Sequence, residues 1–400
     1  MALNSLQEIY PLLKRNYFQI LKYLQNNNYI FPSLPSNLHY LSENGEVYSK
    51  AYSIQGILKY HGFYDTEKRI PFFSSISFNN SSIYSISYLK FDNSLDSDKV
   101  ILNGNNINGP QFSRVKQSLV NIRRLAGLKS KAILISRNIV NTEKQVKIGK
   151  GLGTSASGSS ALGIAAAAII YKSNPEYVKN SRLVSIFSRY LSGSGARSAV
   201  GGFGLWLSYP GIDPLNCYAL RLDTDIEQDF IKNLAIITIN IPSIIETQEA
   251  QKLAPESIFY PSWLLTRKKL IIDFIDALHD LNLTKIGELG EYDTLCLHAI
   301  SMTPGLNKKI LAWKPKTLEI MNLIYDLRKV GFNVYYTIDT GPSVVLLTFE
   351  NEKNRIIKEL TKIISSDSII VGNIAGPASI LSPESKEAKK LEEDINKFYI

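Results

Sequence analysis

A glycine- and hydroxyl-rich segment, KIGKGLGTSASGSS at 147–160, has the composition of a loop that binds an anion. Gly151 and Gly153 let the backbone approach a ligand closely, and Thr154 and Ser155 follow where an alanine-rich helix is predicted to begin. Free N–H groups and the positive end of the helix dipole favour a phosphate at such a place. The spacing fits neither a Walker loop nor the Rossmann fingerprint, and a flexible linker would not lead directly into an apolar helix. We therefore interpret the segment as a phosphate-binding loop.

Two other segments place a charged side chain among small residues. Arg197, in SGSGARS, can present its guanidinium to a phosphate or a carboxylate through two parallel hydrogen bonds, and Ser194 can add a hydroxyl. Asp339, in TIDTGPS, follows one apolar segment and precedes another. Each also has a simpler interpretation: an arginine on an ordinary loop, and a turn-forming aspartate that accepts hydrogen bonds from nearby N–H groups. The local pattern alone favours these simpler interpretations.

The composition limits the classes of partner. The 400 residues include 45 Lys and Arg against 36 Asp and Glu, and the net charge of +9 favours an anionic partner. No basic run is interleaved with aromatic residues, so nucleic-acid binding has no support beyond the charge. Cys217 and Cys296 match no disulfide framework or zinc spacing, and neither His61 nor His298 has a partner at metal-ligand spacing. We therefore expect no metal site.

We find no targeting or membrane segment in the sequence. The longest uncharged apolar run is 161–171, whereas a membrane-spanning helix needs about twenty residues. The N-terminus has charged residues within its apolar pattern and no cleavage site typical of a signal peptide. We therefore expect a cytoplasmic protein.

The order of predicted elements indicates an α+β protein with two domains. A helical appendage at 1–45 precedes alternating β segments and amphipathic helices, which we assign to a domain at 46–212. The turn-rich stretch SYPGIDPLN marks the boundary with a second domain at 213–400, in which we expect helices to cover one face of an antiparallel sheet. The charged C-terminal segment KEAKKLEEDINKF is predicted to be a solvated surface helix.

Six segments, in the same order, resemble the GHMP kinase superfamily and, within it, the diphosphomevalonate decarboxylase branch. IQGILKYHGFYD and FFSSIS resemble that branch's N-x-A-x-I-K-Y-W-G-K-R-D and N-S-S-L-S motifs. KIGKGLGTSASG resembles the phosphate loop P-x-G-x-G-L-G-S-S-A, and GSGARSAVGGFGLW resembles G-S-G-S-A-C-R-S-x-x-G-G-F-x-x-W. EYDTLCLHA resembles M-D-S-N-x-x-H-A, and TIDTGPSVVLL resembles T-x-D-A-G-P-N-x-x-x-L. The match of all six segments is far more specific than any one of them.

The resemblance implies a fold, a reaction and a site. The fold is the two-domain GHMP kinase fold, in which an N-terminal mixed α/β domain carries the phosphate loop. The active site lies between it and a C-terminal ferredoxin-like α/β sandwich. In this branch, ATP phosphorylates the tertiary hydroxyl of mevalonate 5-diphosphate, and loss of phosphate and carbon dioxide gives isopentenyl diphosphate. The implied site residues are the catalytic Asp339 and Lys59, the substrate-binding Tyr60, Ser75, Ser194 and Arg197, and the phosphate-loop residues Gly151, Gly153, Thr154 and Ser155.

Three departures from the branch point to a different substrate. Phe63 stands where the branch has the second lysine of K-Y-W-G-K, and Ile244 replaces the arginine of S-S-R-x-G-M. Two cations near the diphosphate end are therefore missing, which favours a substrate with less negative charge there. A longer polar lead, RNIVNTEKQVK, precedes the phosphate loop. These changes resemble the archaeal decarboxylases of mevalonate 3,5-bisphosphate, which need no ATP and give isopentenyl phosphate.

We therefore predict a carboxy-lyase that takes a small phosphorylated substrate and needs no cofactor, nucleic acid or membrane, with a homodimer as one candidate assembly. The alternative within the branch is a decarboxylase of mevalonate 5-diphosphate or 5-phosphate that requires ATP and Mg²⁺. A GHMP small-molecule kinase and an inactive binding module are further alternatives. The match to T-x-D-x-G-P disfavours the kinase, and the set of Lys59, Arg197 and Asp339 disfavours the inactive module.

Overall fold

A computed structural model describes residues 6–141, 152–243 and 247–399. An N-terminal helix, α1 (Tyr10–Asn26), precedes a first group of strands and helices. In chain order, this group comprises β1 (Gly45–Leu58), β2 (Phe63–Asp65), β3 (Ile70–Pro71), β4 (Ser75–Asp92), β5 (Lys99–Leu102), β6 (Asn105–Asn106), α2 (Gly109–Ala126), β7 (Lys131–Val140), α3 (Thr154–Ile170), α4 (Pro175–Lys179), α5 (Ser181–Leu191), α6 (Gly195–Val200), β8 (Phe203–Trp206) and β9 (Ala219–Arg221).

The second group of elements begins after β9. It comprises α7 (Gln228–Lys232), β10 (Leu234–Ile239), α8 (Thr247–Leu253), α9 (Tyr260–His279), α10 (Leu283–Met302), α11 (Pro315–Lys329), β11 (Val334–Thr337), β12 (Val344–Phe349), α12 (Lys353–Leu360), β13 (Ile369–Asn373), β14 (Ser379–Leu381), α13 (Lys386–Lys389) and α14 (Glu392–Tyr399). Within the described ranges, no helix is both long enough and apolar enough to cross a bilayer.

The first sheet is organised around the 18-residue strand β4. This strand pairs antiparallel with β1 along most of its length, with β7 through residues 83–92 and with β8 through residues 75–78. One face of the sheet packs against α2, α3 and α5 through aliphatic side chains. The other face carries Tyr84, Ile86 and Tyr88, which pack near the C-terminal end of the chain. Both β1 and the strand that leads to the glycine-rich segment, β7, are therefore fixed along β4.

The second sheet has the antiparallel order β11-β12-β10-β13. Successive residues of a strand point to opposite faces, and the sequence of β10 is apolar throughout. Ile236 packs with Leu278 and other residues of α9 and α10, whereas Ile237 packs with Ile320 and other residues of α11 and α12. Helices therefore cover both faces of this sheet, so the prediction of helices on one face is wrong; a strand that is apolar throughout, like β10, is typical of a sheet buried on both faces. The loop after β11, which carries Asp339, leaves a buried strand.

The appendage helix α1 packs against α9. The apolar face of α1 belongs to the same hydrophobic core as α9. Tyr23 Oη donates a hydrogen bond to Asp276, and Tyr29 Oη lies 3.0 Å from His279 Nε2. The buried residues of α1 are Leu13, Asn16, Tyr17, Ile20 and Leu24. The appendage therefore contributes to the main core of the protein.

The C-terminal segment returns to the first sheet. Strand β14 pairs with β1, and Leu391 and Asp394 are buried. Asp394 Oδ2 and Oδ1 accept hydrogen bonds from Arg137 Nε at 2.5 Å and Nη2 at 2.7 Å. The prediction of a solvated C-terminal surface helix is therefore wrong for this face. A two-pronged pairing with arginine offsets the cost of burying the carboxylate, and that partner lies far away in the sequence.

Candidate active site

Lys59 and Asp339 form an ion pair where β1 and β11 end. Lys59 Nζ lies 2.8 Å from Asp339 Oδ1, and it also donates to the carbonyl of Gly56 at 2.6 Å and to Thr337 Oγ1 at 2.5 Å. These three acceptors match the three donors of the ammonium group. The side chain of Lys59 is 2% exposed, whereas that of Asp339 is 40% exposed. The carboxylate is therefore the part of the pair that a ligand can reach.

Burial and the neighbouring carboxylate shift the pKa of Lys59 in opposite directions. Desolvation lowers the pKa of the Lys59 ammonium, and the Asp339 carboxylate opposes part of that shift. Asp339 thus helps to keep a buried lysine charged, and Lys59 holds the carboxylate in a fixed orientation.

The backbone of Lys59 is held by a buried ion pair between α9 and α10. Asp293 Oδ2 accepts the Lys59 N–H at 2.5 Å, and Arg267 Nη2 donates to the Lys59 carbonyl at 2.9 Å. Arg267 and Asp293 are themselves paired at 2.5 Å, with both side chains buried. Trp263 Nε1 adds a hydrogen bond to Asp293 at 2.8 Å. This connected network fixes the turn after β1 and, with it, the direction of the lysine side chain.

Arg197 lies on the short helix α6, buried beside two aromatic rings. Its Nη1 donates to Ser75 Oγ at 3.1 Å, and its Cζ lies 5.2 Å from the ring centre of Tyr60 and 5.9 Å from that of Trp206. Ser194 Oγ lies 3.2 Å from Tyr60 Oη. Burial lowers the pKa of Arg197 to about 10, and its Nε has no hydrogen-bond partner within the described ranges. A buried guanidinium with unused donors is suited to a carboxylate or a phosphate.

The glycine-rich segment leads into α3 with a close backbone contact. Gly153 has φ +71°, and a Cβ at this position would lie 2.7 Å from the carbonyl oxygen of Ile54. Only glycine fits here without a shift of the backbone. Thr154 and Ser155 form the first turn of α3, whose N–H groups have no partners within the helix. Gly151 lies outside the described residues.

One cleft of about 850 Å³, hereafter the cleft, brings most of the predicted site residues together. This volume is typical of a small-molecule site. The predicted residues that line the cleft are Lys59, Tyr60, Gly153, Thr154, Ser155, Ser194, Arg197 and Asp339. Ser75 is not part of the lining but contacts the cleft through its hydrogen bond with Arg197.

Two arginines that the sequence analysis did not select, Arg69 and Arg114, also line the cleft. Arg69 lies in the charged turn between β2 and β3, and Arg114 lies on the amphipathic helix α2. No sequence signal separates them from ordinary surface arginines. Polar side chains that were also missed are Asn103, Gln111, Asn138, Thr247, Gln248, Gln251 and Thr340.

The charge of the cleft is mostly positive. Lys59, Arg69, Arg114 and Arg197 line it, against the single carboxylate of Asp339 among the described residues. Phe63 stands where the branch has a lysine, and Arg69 lines the cleft beside it, with its Cζ 5.9 Å from the ring centre of Phe63. Position 244 lies outside the described residues. An excess of positive charge around a concave site favours anionic ligands.

The buried histidines serve structural contacts. Burial lowers the pKa of His61 to about 4 and that of His298 to about 3, so both rings are neutral near pH 7. His61 Nε2 lies 3.2 Å from Ser301 Oγ, and His298 hydrogen-bonds the backbone of Asp339. Through this hydrogen bond, His298 helps to position the loop that carries the Asp339 carboxylate.

In the part of the chain that the structure describes, no group of three or more His, Cys, Asp or Glu residues could hold a metal ion.

Comparisons with known proteins identify the family. A family model described as the diphosphomevalonate decarboxylase-like N-terminal domain matches residues 51–218. The phosphomevalonate decarboxylase of Haloferax volcanii is 31% identical over 337 residues, which cover 83% of this chain and 97% of that protein. The chain belongs to the diphosphomevalonate decarboxylase family. A second family member, the mevalonate 3,5-bisphosphate decarboxylase of Thermoplasma volcanium, is 30% identical over 332 residues, covering 80% of this chain and 83% of that protein.

The fold of the present chain agrees with that of a solved relative. The mevalonate diphosphate decarboxylase from Enterococcus faecalis, solved in a study of ATP binding mediated by mevalonate diphosphate, matches with a TM-score of 0.73 and 25% identity. The match covers 84% of this chain and 100% of the other. The predicted family, the α+β GHMP kinase fold and the carboxy-lyase class are therefore confirmed. The named substrates of these three relatives differ, so the relatives do not fix the substrate of this one.

Proposed function

We propose that this decarboxylase converts mevalonate 3,5-bisphosphate to isopentenyl phosphate, carbon dioxide and inorganic phosphate without ATP. The observation that carries the proposal is that three separate groups of residues suited to bind an anion line the cleft. They are the glycine loop at the start of α3, Arg197 with Ser194, and the pair Arg69 and Arg114. Mevalonate 3,5-bisphosphate has three anionic groups, one for each of them. The Thermoplasma volcanium relative, which is named for this substrate, adds support.

In the proposed reaction, departure of the 3-phosphate leads to loss of carbon dioxide. The glycine loop binds the 3-phosphate as the leaving group, and Arg197 binds the carboxylate. When the bond between carbon 3 and oxygen breaks, the phosphate takes the electron pair and positive charge develops on the tertiary carbon. The exposed carboxylate of Asp339 stabilises that charge. The electron pair of the bond between carbons 1 and 2 then forms the new double bond between carbons 2 and 3.

In the proposed reaction, Lys59 holds the Asp339 carboxylate in position. Its ammonium contacts Asp339 Oδ1 from the buried side, and its two other hydrogen bonds keep it there. The carboxylate therefore needs little reorganisation as charge develops, which is the property that makes electrostatic stabilisation effective.

A second candidate function is an ATP-dependent decarboxylase of mevalonate 5-phosphate, which gives the same product. The name of the Haloferax volcanii relative favours this reading. In that reaction the glycine loop would bind a phosphate of ATP, because the N–H groups that suit a 3-phosphate also suit a nucleotide phosphate. Asp339 would then also accept the proton of the tertiary hydroxyl.

A substrate panel separates the two candidates. The purified protein is supplied with mevalonate 3,5-bisphosphate, 5-phosphate or 5-diphosphate, each with and without ATP and Mg²⁺, and carbon dioxide and inorganic phosphate are measured. Release of both from the bisphosphate with no nucleotide supports the proposal. A strict requirement for ATP contradicts it and supports the second candidate.

A cytoplasmic location and a homodimer stay predictions from the sequence.

A further inference from the structure

Arg69 occupies an unusual position at the turn between β2 and β3. Its φ is +52°, in the left-handed region that residues other than glycine seldom adopt. Its side chain nevertheless lines the cleft, and its Cζ lies 5.9 Å from the ring centre of Phe63. The ring of Phe63 in turn lies 5.5 Å from that of Tyr60, which is the ring beside Arg197. The rings of Phe63 and Tyr60 therefore connect Arg69 to Arg197 along the cleft.

The backbone around Arg69 is fixed by buried side chains. The carbonyl of Lys68 accepts a hydrogen bond from Arg189, whose side chain is fully buried. The carbonyl of Pro71 accepts a hydrogen bond from Ser208 Oγ at 2.8 Å. Ile70, between them, is also buried. The left-handed conformation is thus imposed from both sides, and the result is an arginine that is held over the cleft.

Arg69 and Arg114 place two interacting positive charges in the cleft, and neither has a carboxylate partner among the described residues. Burial lowers the pKa of both guanidinium groups, and the charge of Arg114 lowers the pKa of Arg69 further. Within the described ranges, neither arginine forms a salt bridge with an acidic side chain, and Arg114 Nε is buried without a hydrogen-bond partner. Two cations that repel each other and have no acidic partner in the described part of the chain are suited to an external dianion.

We propose that Arg69, next to Arg114, binds the 5-phosphate of the substrate and supplies at this end of the cleft the positive charge that Phe63 does not provide. The inference rests on the proposed function in that it takes a mevalonate phosphate as the substrate. It does not depend on the source of the 3-phosphate, because both candidate substrates carry a phosphate on carbon 5. Arg69 is therefore assigned as a specificity-determining residue that lies away from the reacting carbon.

The main test replaces Arg69 by asparagine, which tolerates a positive φ better than most residues. Loss of a charge-assisted contact should lower kcat/KM for mevalonate 3,5-bisphosphate on the order of 10- to 100-fold, mostly through KM. Mevalonate 3-phosphate lacks the 5-phosphate, so its kcat/KM should be the same for the wild type and the variant. Arg355→Gln, at an exposed position on α12, is the matched control and should leave both substrates unaffected.

A rescue experiment tests whether a cation at position 63 can replace the cation at position 69. Phe63→Lys in the Arg69→Asn background should restore part of the lost kcat/KM for the bisphosphate. An unchanged KM in Arg69→Asn, or an equal loss for both substrates, would overturn the inference. A double variant with no recovery would overturn the claim that Arg69 provides the charge missing at position 63.

A failure of the Arg69 inference can be distinguished from a failure of the proposed ATP-independent reaction. If the wild type requires ATP, the same comparison is made between mevalonate 5-phosphate and mevalonate, each with ATP. Failure of the proposed function appears as a nucleotide requirement in the wild type. Failure of the present inference appears as an Arg69→Asn variant whose discrimination in favour of the 5-phosphate is unchanged.

Discussion

Asp339→Asn tests the step on which the proposed reaction depends. The asparagine is nearly isosteric, and its side-chain oxygen can still accept the hydrogen bond from Lys59 Nζ that spans 2.8 Å in the wild type. The substitution therefore removes a charge and keeps the contact. Because the carboxylate is 40% exposed, water screens the pair, and we expect a loss of stability on the order of 1–2 kcal/mol.

The expected effect on the rate is much larger. With the carboxylate about 4 Å from the reacting carbon and an effective dielectric of about 20, the attraction is about 4 kcal/mol, or about a thousandfold in rate. While Lys59 keeps its proton in both proteins, its repulsion of the developing charge is the same and cancels in the comparison. Without Asp339, the pKa of the Lys59 ammonium falls further below 10.5, since Asp339 opposes the desolvation shift. Loss of that proton would remove the repulsion, so the residual rate of the variant should rise with pH.

The assay measures carbon dioxide and phosphate released at saturating bisphosphate, with substrate affinity measured separately by calorimetry. Asp326→Asn is the matched control, because it removes one exposed carboxylate from helix α11. Turnover above about a tenth of the wild-type value, with unchanged affinity, would refute the reasoning. Asp339 would then be a turn-forming residue, as its local sequence pattern suggests.

Three further substitutions test other parts of the site. Arg197→Lys should cost about 2–4 kcal/mol of transition-state binding, about 30- to 1000-fold in kcat/KM, with a nearly unchanged Tm, and near-normal kinetics would contradict the assigned contact. Gly153→Ala should lower the free energy of unfolding by about 1–3 kcal/mol and weaken inhibition by inorganic phosphate, because its Cβ would meet the Ile54 carbonyl. The folded pKa of His61 is about 4, against 6.5 for the unfolded chain. Below pH 6.5 the His61 ring binds a proton in the unfolded chain but not in the folded protein, which favours unfolding. The free energy of unfolding should therefore fall by up to about 3 kcal/mol as the pH falls from 6.5 toward 4. Denaturation of His61→Leu across this range should show a flatter pH dependence, and an unchanged slope would contradict the assignment.

Residues that act through short local patterns could be predicted from the sequence. Gly153 is a clear case, because the glycine spacing and the apolar helix that follows both indicate a close backbone approach. Lys59, Arg197 and Asp339 each lie within a family-like segment, and the structure brings them to one cleft. Their grouping agrees with the prediction, while their roles stay predictions that the substitutions above test.

The residues that the sequence analysis missed depend on contacts between distant segments. Arg69 and Arg114 lie on a hairpin turn and on a helix, and only packing brings them to the same part of the cleft. The buried Asp394 was missed for the same reason, since Arg137 makes its burial tolerable from another element. A charged residue in a polar segment has the same local pattern whether it faces solvent or a binding site.

The electrostatics of the cleft connect the fold with substrate binding. Desolvation of Lys59 and Arg197 opposes folding, as their lowered pKa values show, and Asp339 offsets only part of that cost. Arg69 and Arg114 add mutual repulsion. The hydrogen-bonded carbonyls around Arg69 and the Arg267–Asp293 pair behind Lys59 keep these cations in place despite the repulsion. In the proposed reaction, a polyanionic substrate would supply counter-charge to cations that are already held in place, so its binding energy would go into orienting the leaving phosphate beside Asp339.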